Sequence, residues 1–386
     1  MEEETGPLRV CLYTYRFEPD IGGVETFSRD LATALAEAGC RVTLITKTRP
    51  PQEEAPHPFR VRRRPPPSEL WRLLREADVL QMNVFNPLVF AIGWILRRKL
   101  VWTHCDYPTT CPLGIGWWRG RSCDFGPVRC VRHIRQEHSR LAVPKVLLHF
   151  ALRVLASRLV DGNVVISAYG GRRLQLPRQT LILIGIDTSW FAPESGSRDG
   201  GPDLLFCGRH IPEKGGEVLL RAVRACHDRG RPVRVALEGD GRERERWRAL
   251  ARALELEDAV TFSGQVSPPR LLELMRRARA VVVPSVHDEC FGLVALEAMS
   301  CGTPVIAARV GGLGELVEGA GLLFSRGNAE ELAAHIIRVL DDPSLGRELR
   351  GRSRQVAQEQ HDRCHMAGQY LALYRGLLGR GGVSAC

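Results

Sequence analysis

Short apolar runs and amphipathic stretches alternate along almost the whole chain. In the first half, Leu8–Tyr13, Arg41–Thr46, Asp78–Met82, Leu100–Thr103, Asn163–Ser167 and Thr180–Ile184 read as strands, and Val24–Ala38, closing at Gly39, reads as a helix. Apolar strands with helices between them are the pattern of a parallel sheet covered on both faces. The alternation pauses over Gly185–Gly201, where Pro193, Ser195, Gly196, Ser197, Gly200 and Gly201 make a turn-rich linker. It restarts with strands at Asp203–Cys207, Val233–Glu238, Ala259–Phe262, Ala280–Val283, Pro304–Ala307 and Gly321–Phe324. The expected fold class is α/β, with two doubly wound Rossmann-like domains, residues 1–186 and 187–360, facing a central cleft. Residues 361–386 hold a C-terminal helix that can pack back on the first domain. Such sheets bind ligands at the carboxyl ends of their strands, so the cleft is the first place to seek a site.

Two apolar segments need separate treatment. Pro87–Leu96 is about half the ~20 residues a membrane span needs, so it is expected to be a buried helix, followed by Arg97, Arg98 and Lys99. Val143–Val160 is a helix with Lys145, Arg153 and Arg158 among many Leu. It can dock on an anionic membrane or lie in the core, and the core is the slightly preferred expectation. Pro50–Pro67, with Arg60 and Arg62–Arg64, reads as an exposed loop plus one edge strand.

Composition adds a charge asymmetry. The 386 residues are 44% apolar and 25% charged, an ordinary globular mixture, with net charge +10. Residues 1–187 carry 27 Lys plus Arg against 18 Asp plus Glu; the remainder carries 27 against 26. An acidic partner such as anionic lipid or a phosphorylated acceptor would explain this, and so would an Arg-rich solubilising surface. No nucleic-acid module or aromatic–basic interleaving is present, so nucleic acid is not an expected partner. The twelve Cys are dispersed and Met-Glu-Glu-Glu-Thr does not open a signal peptide, which suggests a reducing, cytoplasmic setting, with contact at the inner membrane face as an extension.

The segment richest in chemistry is Pro284-Ser-Val-His-Asp-Glu-Cys-Phe-Gly-Leu-Val-Ala-Leu-Glu297, followed by Ala-Met-Ser-Cys-Gly-Thr-Pro304. It follows a buried strand and turns through Gly292 into a helix. Glu289 precedes that helix, the amides near Phe291, Gly292 and Leu293 form its anion-attracting start, and Glu297 lies about one turn in. A sugar, a diphosphate and a ribose fit that order. A second segment, Phe206-Cys-Gly-Arg209-His-Ile-Pro-Glu-Lys214-Gly-Gly, sets two cations at a strand–loop–helix mouth, suited to a departing diphosphate.

These segments resemble the E-x7-E and Gly-Arg…Lys-Gly signatures of family 4 of the retaining glycosyltransferases (glycosyl transferases group 1). That family has the two-domain GT-B fold and includes sucrose synthases and bacterial mannosyltransferases. The resemblance is specific over 203–325 and loose over 1–190. It implies a metal-independent hexosyltransferase taking a nucleoside diphosphate sugar, UDP being the commonest. The implied acceptor is a glycan, a glycolipid or a small molecule. By the resemblance, Glu289 contacts the donor sugar near its 3-hydroxyl, Glu297 holds the ribose, and Arg209 and Lys214 hold the diphosphate. Gly239, in Glu238-Gly-Asp-Gly241, lies near the nucleotide, and Val266 contacts the base. Gly22 and Gly23 inherit the backbone loop that reaches donor phosphate and acceptor, and His104 contacts the donor sugar.

Cys111, Cys123, Cys130 and His133, with Cys105 nearby, follow His104 with spacing C-x11-C-x6-C-x2-H. Four soft ligands in one loop can close a structural Zn site, but the tight C-x2-C pair is missing, so unliganded thiols are an equal expectation. Two other functions remain as rivals: a non-hydrolysing nucleotide-sugar epimerase of the same fold, and a silent nucleotide-sugar-binding partner subunit. A pyridoxal phosphate-dependent phosphorylase has no support.

Overall fold

The computed structural model describes residues 6–20, 22–53, 56–114, 116–118, 121–122, 127–137, 142–194 and 200–380. They form two compact units, one of Met1–Gly116, Cys123–Ile186 and Asp362–Cys386, the other of Trp117–Ser122 and Asp187–His361.

The first unit contains β1 (Arg9–Tyr13), α1 (Gly23–Glu37), β2 (Arg41–Thr46), β3 (Arg60–Arg63), α2 (Pro67–Glu76), β4 (Val79–Met82), α3 (Pro87–Ile95) and β5 (Lys99–His104). After the short hairpin β6 (Trp117–Trp118) and β7 (Arg121–Ser122), which groups with the second unit, it continues through α4 (Pro127–Glu137), α5 (Val143–Leu159), β8 (Gly162–Val165), α6 (Ala168–Leu174) and β9 (Gln179–Leu181). Its seven strands are parallel in the order β3-β2-β1-β4-β5-β8-β9. The chain starts at the centre, winds outward one way, then returns to wind the other way between β1 and β4. That switch point leaves a crevice at the strand ends.

The second unit runs β10 (Leu204–Cys207), α7 (Gly216–Asp228), β11 (Val235–Glu238), α8 (Arg244–Ala253), β12 (Val260–Gly264), α9 (Pro268–Arg277), β13 (Ala280–Val283), α10 (Leu293–Ser300), β14 (Val305–Ala308), α11 (Gly311–Val317), β15 (Leu322–Phe324), α12 (Ala329–Asp341) and α13 (Pro343–Gln360). Its sheet is parallel in the order β12-β11-β10-β13-β14-β15, so the switch point falls between β10 and β13.

The last helix, α14 (Arg363–Leu377), starts at an Asp362 cap and belongs to the first unit. Tyr370 and Tyr374 are fully buried there. The Tyr370 hydroxyl pairs with Thr103 Oγ1 at 2.7 Å, and the Tyr374 hydroxyl donates to Gln81 Oε1 at 2.9 Å. These bonds satisfy polar groups that an otherwise apolar sheet face would strand.

Two expectations are corrected here. Helix α3 is half-buried: Val89 and Ile92 face the core, while Leu88, Trp94 and Ile95 are exposed. Helix α5 is not a core helix. It turns Arg153, Ala156 and Ser157 inward and leaves Leu148, Leu155 and Leu159 at 62%, 53% and 42% exposure. Its inner face must fit beside Phe85 and Trp102 of the core, where small side chains pack closest. Arg153 is admitted because it donates to the Pro112 carbonyl at 2.5 Å.

Candidate functional site

The loops that leave β10 and β13 meet at the second unit's switch point. The first carries Arg209 and, through the 3-10 turn Pro212–Lys214, Lys214; the second carries Ser285, Asp288 and Glu289. They are latched backbone to backbone. Val286 N donates to Glu213 O at 2.9 Å, and His287 Nδ1 lies 3.1 Å from the same oxygen. Gly215, at φ +70°, sits where a Cβ would come within 1.9 Å of Pro284 O, so a side chain there would force the loops apart.

This latch brings the Lys214 ammonium to 2.7 Å from Glu289 Oε1, with side-chain exposures of 23% and 10%. Ser285 Oγ donates to the same carboxylate oxygen. Burial alone would push the Glu289 carboxyl up; Lys214, His287 and the Ser285 hydroxyl outweigh it and hold the group at about 2. Glu289 is therefore ionised at neutral pH, a hydrogen-bond acceptor beside a cation. Its own carbonyl accepts from Gly312 N at 2.7 Å, which ties the loop to the start of α11.

Helix α10 begins beside this pair. Its cap is Gly292, at φ +115°, where a Cβ would also press to 2.7 Å from Leu313 Cδ1. The Phe291 side chain is buried edge-on against His361, ring centroids 5.5 Å apart, so only its backbone is available to a ligand. Leu293 opens the helix and Glu297, half-buried, lies about one turn along it. Gly239 follows β11, donating to Gly264 O at 2.7 Å, and Val266 follows β12. Sequence reasoning missed Ser285 and the Asp288–Arg326 ion pair that braces the same loop. Ser285 and Asp288 precede the E-x7-E segment, but nothing in that spacing marks them.

In the first unit, Gly22 and Gly23 stand at the start of α1. His104 ends β5, buried, its ring 4.2 Å from that of Trp102. Asn163 settles its tautomer. The Asn163 amide nitrogen donates to the Ser157 and Pro177 carbonyls, so its Oδ1, 2.8 Å from His104 Nε2, can only accept. His104 therefore carries its proton on Nε2, and Nδ1 is a buried acceptor with no partner among the described residues. Burial lowers His104 to about 4, against a smaller opposing effect of Asn163, so it is neutral at pH 7. Cys111, Cys130 and His133 are buried; Cys123 lies outside the described residues. Among the described residues no three His, Cys, Asp or Glu side chains are grouped to hold a metal ion.

These shifts set a pH dependence of stability. The folded state refuses the proton that unfolded His104 takes below its ordinary 6.5, so its contribution is full above pH 6.5 and lost as pH falls toward 4. Glu289, depressed from 4.5, contributes above pH 4.5 and loses that contribution toward pH 2. Urea midpoints should fall in two stages on acidification, and His104→Gln should make the first stage shallower. An identical slope in that variant between pH 6.5 and 4 would remove His104 as a cause.

Residues 21–190 match the model described as Glycosyltransferase Family 4, and residues 189–360 match Glycosyl transferases group 1. A D-inositol 3-phosphate glycosyltransferase of Pseudarthrobacter chlorophenolicus is 30% identical over 372 residues, covering 84% of this chain and 83% of the relative. The enzyme of that name from Acidothermus cellulolyticus is 36% identical over 216 residues, 51% of this chain and 47% of its own. Among solved structures, Anabaena HepE in complex with UDP-glucose superposes with a TM-score of 0.73 at 20% identity, covering 96% of this chain and all of that one.

Proposed function

The chain belongs to glycosyltransferase family 4, with the GT-B fold, and we propose that it moves a hexosyl group from a UDP-linked sugar to an acceptor hydroxyl with retention of anomeric configuration. The observation that carries this proposal is the Lys214–Glu289 pair at the β10/β13 switch point. An ionised, rigid carboxylate can accept sugar hydroxyl hydrogens and so orient the ring. The adjoining ammonium, exposed Arg209 and the first amides of α10 can neutralise charge that builds on a departing diphosphate. Glu297, about one turn into α10, would accept from the ribose hydroxyls, and the turns at Gly239 and Val266 are the next along the same strand ends, where the base would lie. In the first unit, the Gly22–Gly23 backbone suits a phosphate, and His104 Nδ1 suits a sugar hydroxyl.

In the transfer, the acceptor oxygen bonds to the anomeric carbon on the face from which UDP departs. The bond from that carbon to the diphosphate oxygen breaks, and the acceptor proton passes to the departing oxygen. Arg209 and Lys214 stabilise the charge that develops there. HepE, holding UDP-glucose, supports a UDP-linked donor. The test is to supply UDP-glucose with glycan, glycolipid and small-molecule acceptors and to read UDP release together with the anomeric configuration of the product. An α-linked product supports the proposal; conversion of the donor to an epimer without acceptor would replace it with the epimerase.

One observation favours a second element, contact with an anionic membrane. Helices α2, α3 and α5 pack on one core cluster, and their outward faces expose Trp71, Trp94, Ile95, Leu148 and Leu155. Helices α2 and α5 also carry exposed Arg72, Arg75, Lys145 and Arg158. Among the described residues no helix is long and apolar enough to cross a membrane. Exposed apolar side chains on helices that also carry cations suit the headgroup layer instead. Vesicles containing phosphatidylglycerol should sediment the protein, and Leu148→Gln/Leu155→Gln should reduce partitioning by about tenfold or more. Equal partitioning of that variant would remove the membrane from the proposal.

A further inference from the structure

Beside the switch point of the first unit lies a cavity of about 800 Å³ at the carboxyl ends of β1, β2 and β3, closed on one side by the start of α3. That is the volume of a small-molecule site. Four cations line it, Arg16, Lys47, Arg49 and Arg64, against one carboxylate, Asp20. All four are exposed. Elsewhere the arginines of this chain are commonly ion-paired, as Arg221, Arg229 and Arg309 are. Among the described residues none of these four is. Arg64 is instead anchored by donating from Nε to Lys47 O at 2.7 Å, and Lys47 holds its ammonium 5.7 Å from the Tyr15 ring centroid. Asp20 is engaged by the Thr48 hydroxyl at 3.1 Å.

Like charges gathered at one concavity repel one another until an anion joins them. The cavity floor also offers a neutral donor. The Tyr13 hydroxyl accepts from Asn86 Nδ2 at 2.8 Å, and burial pushes its phenol up to about 12, so it keeps its proton and can direct it inward. Ile45, Leu70 and Val89 supply apolar wall beside these groups. Guanidinium forks match phosphate oxygens two at a time.

We propose that this cavity binds the phosphate of a phosphorylated acceptor, gripped by Arg16, Lys47, Arg49 and Arg64, with Tyr13 donating a further hydrogen bond. The word acceptor rests on the glycosyltransferase function; the anion site itself does not. The ligand is a phosphorylated compound, soluble or lipid-linked.

The test uses the full chain saturated with UDP, so that a phosphate site beside Arg209 and Lys214 is filled. Calorimetric titrations with inorganic phosphate, D-inositol 3-phosphate and unphosphorylated inositol follow, on wild type and on Arg16→Ala/Lys47→Ala and Arg49→Ala/Arg64→Ala, with thermal melts confirming that each variant folds. Wild type should bind both phosphate compounds, more weakly as salt rises, and inositol at least about tenfold more weakly than its phosphate. Each double variant should lose about tenfold or more for D-inositol 3-phosphate while still binding UDP. Vesicles bearing phosphatidic acid repeat the comparison for a lipid-borne monoester, and loss in the variants in one arm or the other identifies the source. Unchanged phosphate binding in both variants, or no binding of any phosphate compound by UDP-loaded wild type, overturns the proposal. Failure of wild type to bind UDP would instead overturn the donor site, and the acceptor claim with it.

Discussion

Replacing Glu289 with Gln is expected to lower kcat for sugar transfer by about 10²–10³-fold, the scale seen when one preorganised electrostatic group is lost. The amide has almost the same shape, so the contacts of Ser285 and the α11 loop persist. What disappears is the negative charge, held at about 2 in the wild type and therefore fully present across the working pH range. A neutral amide accepts sugar hydroxyl hydrogens more weakly and leaves Lys214 without its counter-ion, free to take another position. Affinity for UDP alone should change little, because Glu289 is assigned to the sugar. Steady-state UDP release at saturating donor, with UDP binding measured alongside, checks both halves. Unchanged turnover would remove Glu289 from the mechanism.

Replacing Lys214 with Met should have two effects, on stability and on the acid limb of the pH–rate profile. The pair is largely buried, so deleting the ammonium strands a carboxylate, which costs about 1–3 kcal/mol at neutral pH. Without Lys214, burial pushes the Glu289 carboxyl up, and the variant should lose residual activity at a higher pH than wild type does. Lys214→Met/Glu289→Gln should recover much of the stability, because neither member of the pair is then left charged. A double variant as unstable as the sum of the singles would show that the two groups are not coupled. Urea denaturation of the four proteins at neutral pH decides it.

Much of the architecture was legible because apolar strands and amphipathic helices differ in period. The second unit was the clearer, since its strands, such as Ala280–Val283, are continuous apolar runs. The E-x7-E spacing placed Glu289 before a helix and Glu297 within it, and the structure has them so. Helix α5 shows the limit. Leu148, Leu152, Leu155 and Leu159 recur at helical spacing, the ordinary signature of an inward stripe, yet they face out. Periodicity finds a stripe but not the side on which the sheet lies, and here His149, Arg153 and Ala156 form the inner one. The cavity of the first unit was invisible for a related reason. Arg16, Lys47, Arg49 and Arg64 come from the ends of three separate strands, and only the order β3-β2-β1 gathers them. Ser285 could not be singled out either, because its hydroxyl matters only through the fold of its own loop.

The central claim is a nucleoside diphosphate site at the β10/β13 switch point, and a thermal-shift comparison with UDP, GDP, ADP, dTDP and NAD tests it most directly. A ligand that binds only the folded chain adds about 2.7 kcal/mol at one hundred times its Kd, enough to move the melting midpoint by several degrees. UDP is expected to raise the midpoint of the wild type, and Arg209→Ala and Glu297→Ala are expected to abolish most of that rise. Stabilisation by NAD alone, or by UDP equally in wild type and both variants, would contradict the assignment of the donor site.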